Sequence, residues 1–491
     1  AQGDGACLVL AGAGSGKTRT LIYRVAYLLE KGVGPEEILL VTFTNKAANE
    51  MKNRVEALLQ SKAKNLWCGT FHHIGNRLLR MYGSHIGLTP DFGILDDEDS
   101  RDLVKACTKP LASQMGDKKF PKPGVIQSVL SFSVNAKRPI RDVVLQHYAH
   151  LISFIPEFEK IKVQYEEKKK KSNSLDYDDL LIRWVELLKN SEHVRQKLTQ
   201  QFRFCLVDEY QDTNRIQHEI IGILSSHHKN VLVVGDDAQS IYSFRAADIK
   251  NILAFPEHYE NSKIFKLETN YRSTKPILDL ANKSISHNVH QFPKILKSVQ
   301  KEGSLPQLVK VRDPRQEAAF IGQRILELCG SGVGLSEIAV LFRAHYQAAE
   351  LEMELTKRGI PYLVRGGIRF FEQAHIKDVL SFLKIISNPL DELAWSRALM
   401  LQSGIGAGYA EKIFKEVEKN QGDLLKVASI EFGEHLPPRV RDGLNGFKKI
   451  LKSLVRENLK EHPDMLIEEV LDKGYNKHVL MTFENGQERL E

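Results

Sequence analysis

The segment Ala11-Gly12-Ala13-Gly14-Ser15-Gly16-Lys17-Thr18 has the clearest chemical meaning in this chain. Glycines let backbone N–H groups approach phosphate oxygens, and a helix opening just after them adds positive potential. Lys17 is long enough to reach β and γ phosphates, and Thr18 offers a hydroxyl to magnesium. The strict pattern begins with Gly where this chain has Ala11, and a small residue there still fits a tight turn. Two adjacent acids, Asp208 and Glu209, follow the apolar run Phe204-Cys205-Leu206-Val207. At a strand end beside such a loop, Asp208 can hold magnesium and Glu209 can orient an attacking water. The run Val231 to Val234 then leads into Gly235-Asp236-Asp237-Ala238-Gln239-Ser240, where Gln239 can reach a γ phosphate and sense its hydrolysis. A Gly-rich turn that binds nothing and a solvated acid pair are the competing readings, and the flanking strand and helix patterns weigh against both. The loop alone does not name a reaction, since kinases, GTPases and transport ATPases share it.

These residues need a sheet to bring them together. Cys7-Leu8-Val9-Leu10 reads as a strand and Thr18 to Lys31 has helical spacing; the alternation continues over residues 7–95 and implies an α/β fold with a parallel sheet. Residues 97–200 read as polar helices broken by Pro121, Pro123, Pro139 and Pro156, with the basic run Lys168 to Lys171 expected as a helix end in water. Strands resume at 204–207 and 231–234. A second βα region begins near Lys275, with strand candidates at Gln307 to Val311, Ile338 to Phe342 and Pro361 to Val364, and helices take over from about Pro389.

At 491 residues the chain needs several cores, and 42% hydrophobic with 27% charged residues excludes a disordered or fibrous class. No apolar stretch approaches the roughly 20 residues that span a bilayer. The opening Ala1-Gln2-Gly3-Asp4-Gly5 is no secretory signal, so a cytoplasmic protein without membrane contact is expected, with its natural start upstream. Cys7, Cys68, Cys107, Cys205 and Cys329 are scattered, and the pairs His72-His73 and His227-His228 lack metal-ligand spacing, so neither disulfides nor zinc are expected. A net charge of +7 favours a polyanionic partner.

The chain resembles the UvrD/Rep/PcrA group of superfamily 1 DNA helicases. Besides the phosphate loop, the resemblance rests on Val41-Thr42-Phe43-Thr44-Asn45-Lys46-Ala47-Ala48, Gly69-Thr70-Phe71-His72, Asp208 to Asn214, Gly235 to Arg245, Leu267-Glu268-Thr269-Asn270-Tyr271-Arg272-Ser273-Thr274 and Gly366-Gly367-Ile368-Arg369-Phe370-Phe371-Glu372. It implies a P-loop NTPase with RecA-like motor domains and helical insertions: residues 1–95 and 201–275 as the first motor domain, 96–200 as its insertion, 276–388 as an incomplete second motor domain and 389–491 as a truncated helical insertion. It further implies ATP and magnesium as cofactors, with Arg272 reaching the γ phosphate across a domain cleft and Tyr271 stacking on adenine with help from Arg19. Phe43, Phe71, Tyr242 and Phe244 would stack on bases of single-stranded DNA beside Thr70, His72 and Arg245, where the family usually carries Trp at Phe244 and Phe at Tyr210. Implied partners are single strands, single-strand/duplex junctions and repair or replication proteins, with 3′ to 5′ movement. The family's first adenine-reading Gln and last two motifs are expected outside these residues, leaving 276–388 the less stable motor half and the chain poorly coupled.

Three rivals stand beside this. A motor subunit of a helicase-nuclease complex would need a nuclease module downstream. A nucleotide-switched nucleic-acid-binding protein would have no use for Arg272. A small-molecule kinase fits the Asp208-Glu209 pair poorly.

Overall fold

The computed structural model describes residues 5–59, 65–112, 120–300, 302–365, 373–430, 436–455, 459, 462–482 and 486–490. The stretch Gly366 to Glu372 lies outside the described residues.

Ten strands follow in chain order: β1 (Cys7–Ala11), β2 (Ile38–Thr42), β3 (Trp67–Thr70), β4 (Gly93–Ile94), β5 (Ser174–Leu175), β6 (Phe204–Val207), β7 (Val231–Gly235), β8 (Lys263–Leu267), β9 (Thr269–Thr274) and β10 (Lys297–Gln300). Six of them form one sheet in the order β3-β2-β6-β7-β1-β8, and every pairing in it is parallel. Its inner strands read as unbroken apolar runs because both faces are covered. On one face Leu8, Leu10, Val41, Val207 and Val233 pack with Phe71, Ile74, Leu78, Trp184, Leu188 and Ile220. On the other, Val9, Leu40, Leu206 and Val234 meet Leu21, Ile22, Val25, Met51 and Val55. The alternation of side chains along each strand divides these two sets.

The covering helices are locally encoded. Thr70 Oγ1 accepts from His73 N at 3.2 Å and caps Phe71–Tyr82, whose buried residues Phe71, Ile74, Leu78 and Leu79 recur at helical spacing. Asp176 caps Tyr177–Asn190 in a reciprocal box with Asp179. That helix and Glu192–Gln201 both contribute to the sheet's core, while a separate cluster runs from Leu95 to Tyr165. The packing division therefore falls within the expected insertion 96–200.

Lys169 corrects one expectation. It is 3% exposed, not solvated, and its Nζ lies 2.9 Å from Asp176 and 2.6 Å from Asp179. The helix Ile155–Lys171 delivers its last turn onto the acidic start of the next helix, a helical neighbour that a linear charge run does not reveal.

The described residues of 374–490 are mainly helical, with a core from Phe382 to Val479. They cluster with residues 1–303, and Ser304–Gln373 form a second compact unit. In that unit the helices Pro314–Gly330 and Ala349–Lys357 bury Ala318, Ile325, Leu351 and Leu355 together with Ile360. The expected strands at 307–311, 338–342 and 361–364 are not strands. A strand exists through its neighbour's hydrogen bonds, and no ladder joins these segments among the described residues. Leu308, Leu341 and Leu363 stand 87%, 94% and 84% exposed.

Candidate nucleotide site and aromatic surface

A parallel sheet gathers its carboxyl ends on one edge, where ligands meet α/β proteins. β1 runs into the Gly-rich loop, which tightens through Ser15 N and Oγ, both donating to Gly12 O at 3.2 and 2.6 Å. Gly14 and Gly16 have φ of 75° and 94°, and Gly16 caps the helix Lys17–Glu30. A Cβ on Gly14 would come within 2.7 Å of Arg272 Cβ, and one on Gly12 within 2.5 Å of the Leu296 side chain. Glycine is needed here for close approach as well as for its backbone.

Lys17 Nζ donates to Gln239 Oε1 at 3.2 Å and lies 3.2 Å from Glu209 Oε2. The loop lysine, the second acid and the candidate sensor thus meet at one point. Gln211, a residue given no role from the sequence, ties the two acidic strand ends together. Its Nε2 donates to Glu209 at 2.8 Å, and its Oε1 accepts from Asp236 N at 2.9 Å.

Asp208 sits at the end of β6, 5% exposed. Thr42 Oγ1 donates to its Oδ2 at 3.4 Å, and its Oδ1 is buried without a hydrogen-bond partner among the described residues. Burial, then the neighbouring Glu209 charge, pushes its pKa up to about 7. A buried carboxylate oxygen with a spare lone pair is a hard oxygen donor of the kind that suits magnesium. Asp212 repeats the pattern: Oδ1 is unpartnered, and burial followed by Glu209 raises its pKa to about 6.

Tyr271 and Arg272 lie on β9. Tyr271 N donates to Gly14 O at 3.0 Å, and Asn270 donates to Ala13 O while its Oδ1 accepts from Arg272 N and Ser273 N at 2.9 and 2.7 Å. Asn270 is 1% exposed. Arg272 thus lies in the same compact unit as the loop. Only Glu268 separates β8, paired with β1, from β9. Arg19 lies over Tyr23, 5.3 Å from its ring centroid, and Tyr271 is 64% exposed.

A second group of predicted residues also comes together. Phe43, just after β2, lies 5.0 Å from Tyr242, which lies 5.9 Å from Phe244. Arg245 reaches 5.7 Å from the Phe244 centroid, and Phe244 is 61% exposed. Thr70 is mostly buried as a helix cap; His72 packs edge-on to Tyr177 at 6.0 Å, and burial lowers its pKa to about 4. Phe71 does not join this surface, because its ring is 4% exposed in the sheet's core.

A parallel sheet presenting a glycine loop, two adjacent acids and a polar sensor at its carboxyl edge defines a P-loop NTPase fold of the RecA-like kind. Residues 1–260 match the UvrD/REP helicase N-terminal domain and 265–481 the UvrD-like helicase C-terminal domain. The chain belongs to the UvrD/REP helicase family. It is similar to the ATP-dependent DNA helicase PcrA of Bacillus subtilis, 35% identical over 498 residues, covering 99% of this chain and 66% of that protein. The PcrA proteins of Staphylococcus epidermidis and Staphylococcus aureus are 35% and 33% identical over 96% of this chain and 64% of their own length. The chain thus spans slightly under two thirds of these relatives. No described helix is long and apolar enough to cross a membrane.

Proposed function

We propose that the chain carries the ATP-hydrolysing motor of a DNA helicase that translocates 3′ to 5′ along single-stranded DNA in repair or replication. The observation that carries this reading is the loop after β7. Gln239 at its start touches Lys17, and Tyr242, Phe244 and Arg245 a few residues on form the aromatic surface. One short segment thus has a phosphate-sensing end and a base-stacking end.

In this reading Lys17 and the loop N–H groups of residues 12–16 hold the phosphates, and Glu209 orients the attacking water. Gln239 and Arg272 face the γ phosphate, and Tyr271 and Arg19 flank adenine. Magnesium, when bound by Thr18 and Asp208, offsets phosphate charge. Phe43, Tyr242 and Phe244 stack on bases, with Arg245, Thr70 and His72 along the strand; Phe71 supports them from the core. Residues 1–95 and 201–275 act as one motor domain, and the compartment is the cytoplasm, where the DNA and its repair or replication partners lie.

The test is ATP turnover with and without single-stranded DNA, in the unmodified chain, Lys17→Ala and Arg272→Ala. Stimulation by DNA that both substitutions abolish is expected. Turnover indifferent to DNA would favour the nucleotide-switched binding protein.

A further inference from the structure

Between the helix Lys275–Ile285 and β10, the chain crosses the carboxyl edge of the sheet and makes contacts that none of the motifs explains. Phe292 N donates to Asp237 Oδ2 at 3.1 Å. Lys294 Nζ lies 2.6 Å from Asp237 Oδ1 and 2.9 Å from Asp236 Oδ1. Ile295 N donates to Glu268 Oε1 at 2.8 Å, and Leu296 sits against Gly12.

The three charged side chains are nearly out of water: Lys294, Asp236 and Asp237 are 6%, 4% and 1% exposed. Burial alone would neutralise the lysine, but the two carboxylates outweigh it and raise its pKa. The second oxygen of Asp236, Oδ2, accepts from Gln239 Nε2 at 2.5 Å. That contact turns the amide so that Oε1 faces Lys17. A continuous chain therefore runs from Lys294 through Asp236 and Gln239 to the phosphate-loop lysine. Without the ammonium, two adjacent buried carboxylates would repel, and Asp236 would turn away, loosening its hold on Gln239.

We propose that Lys294 is a positioning residue for hydrolysis, holding Asp236 against Gln239 so that the sensor amide is fixed before nucleotide arrives. This rests on the reading of the site as an ATPase.

The test compares Lys294→Met and Lys294→Arg, alone and in a Gln239→Ala background, with Lys294→Gln as the uncharged substitute should the Met variant not fold. Three readouts apply: single-turnover ATP hydrolysis, affinity for ADP against a non-hydrolysable ATP analogue, and the nucleotide-free crystal structure of the variant. Lys294→Met should slow hydrolysis roughly 10- to 100-fold, in the range of a lost oriented group. It should narrow the preference for the ATP analogue and leave ADP affinity unchanged, and Lys294→Arg should restore most of the rate. In the Gln239→Ala background the same substitution should cost less than about twofold, because coupled residues are not additive. Equal losses in both backgrounds, or equal weakening of both nucleotides, would mark general structural support and overturn the proposal. If the unmodified chain does not hydrolyse ATP, that counts against the ATPase reading, and the crystal structure decides the positioning. Gln239 still bonded to Asp236 in Lys294→Met overturns it whatever the kinetics.

Discussion

Glu209 holds a left-handed backbone, φ 49° and ψ 45°, which costs a non-glycine residue on the order of 1 kcal/mol. The conformation turns its carboxylate back towards Lys17 and Gln211 while Asp208 stays pinned under Val41 by an N–H to carbonyl bond of 2.9 Å. Glu209→Gln keeps shape and hydrogen-bonding capacity but removes the charge proposed to orient water. Single-turnover hydrolysis should fall by roughly 10²-fold or more while nucleotide affinity changes little; a loss of affinity of the same size would remove Glu209 from the chemistry. Close by, Tyr210 OH meets His218 Nδ1 at 2.7 Å, and burial, then the neighbouring His258, lowers the His218 pKa to about 4 from 6.5. The unfolded chain takes up a proton that the folded imidazole refuses, so stability falls as pH drops from about 6.5 towards 4. Thermal unfolding at pH 7.5 and 5.5 should show a larger drop in the unmodified chain than in His218→Gln. At this scale the sequence is informative about residue type: Lys17, Asp208, Glu209 and Gln239 all stand on the expected edge. It is silent on Gln211 and Lys294, whose roles come from partners met only through folding.

Asn270 is the side chain that docks β9 on the loop, beside the Tyr271 N–H to Gly14 O bond and the pairing with β10. Asn270 satisfies Ala13 O, Arg272 N and Ser273 N at once, and a buried polar group left without its partner costs about 1 to 3 kcal/mol. Asn270→Ala should therefore free Arg272 from the loop, weakening nucleotide binding and slowing hydrolysis together, each roughly tenfold. Titration with a fluorescent nucleotide, run beside turnover, checks this; a defect in turnover alone would mean that β9 keeps its dock. The loop after β7 makes the complementary case. Phe244→Ala removes an exposed ring worth about 1 to 3 kcal/mol against a base, so single-stranded DNA should bind weaker by roughly 5- to 150-fold while DNA-free turnover stays the same. Unchanged DNA affinity in an anisotropy titration would remove Phe244 from the interface. Elements buried on both faces, such as β1 and β6, are legible because their apolar runs record that burial. The segments at 307–311, 338–342 and 361–364 show similar residues, yet strandedness is a property of pairs.

At the scale of the molecule, the first insertion and the sheet are tied by the buried group around Lys169. Its ammonium joins Asp176, whose own pKa is lowered despite burial, and Asp179, raised to about 7 chiefly by burial. Removing one partner of a buried ion pair costs about 3 to 5 kcal/mol. Lys169→Met should consequently destabilise the helices on either side of β5, seen as faster amide exchange in Ile155–Lys171 and Tyr177–Asn190. Protection equal to that of the unmodified chain would show the charge to be dispensable. Charge runs are poor guides here because the same four lysines mix one buried member with others at the surface.

The three extended segments of the unit Ser304–Gln373 have a consequence for how the protein behaves in a tube. None of them pairs as a strand among the described residues, and each carries an exposed leucine: Leu308, Leu341 and Leu363. Unprotected edges of this kind invite strand addition from another copy. Light scattering should thus rise steeply with concentration and fall when the three leucines are changed to lysine, even though none of them lies near the phosphate loop in sequence. Such an outcome would place the control of solubility far from the candidate chemistry.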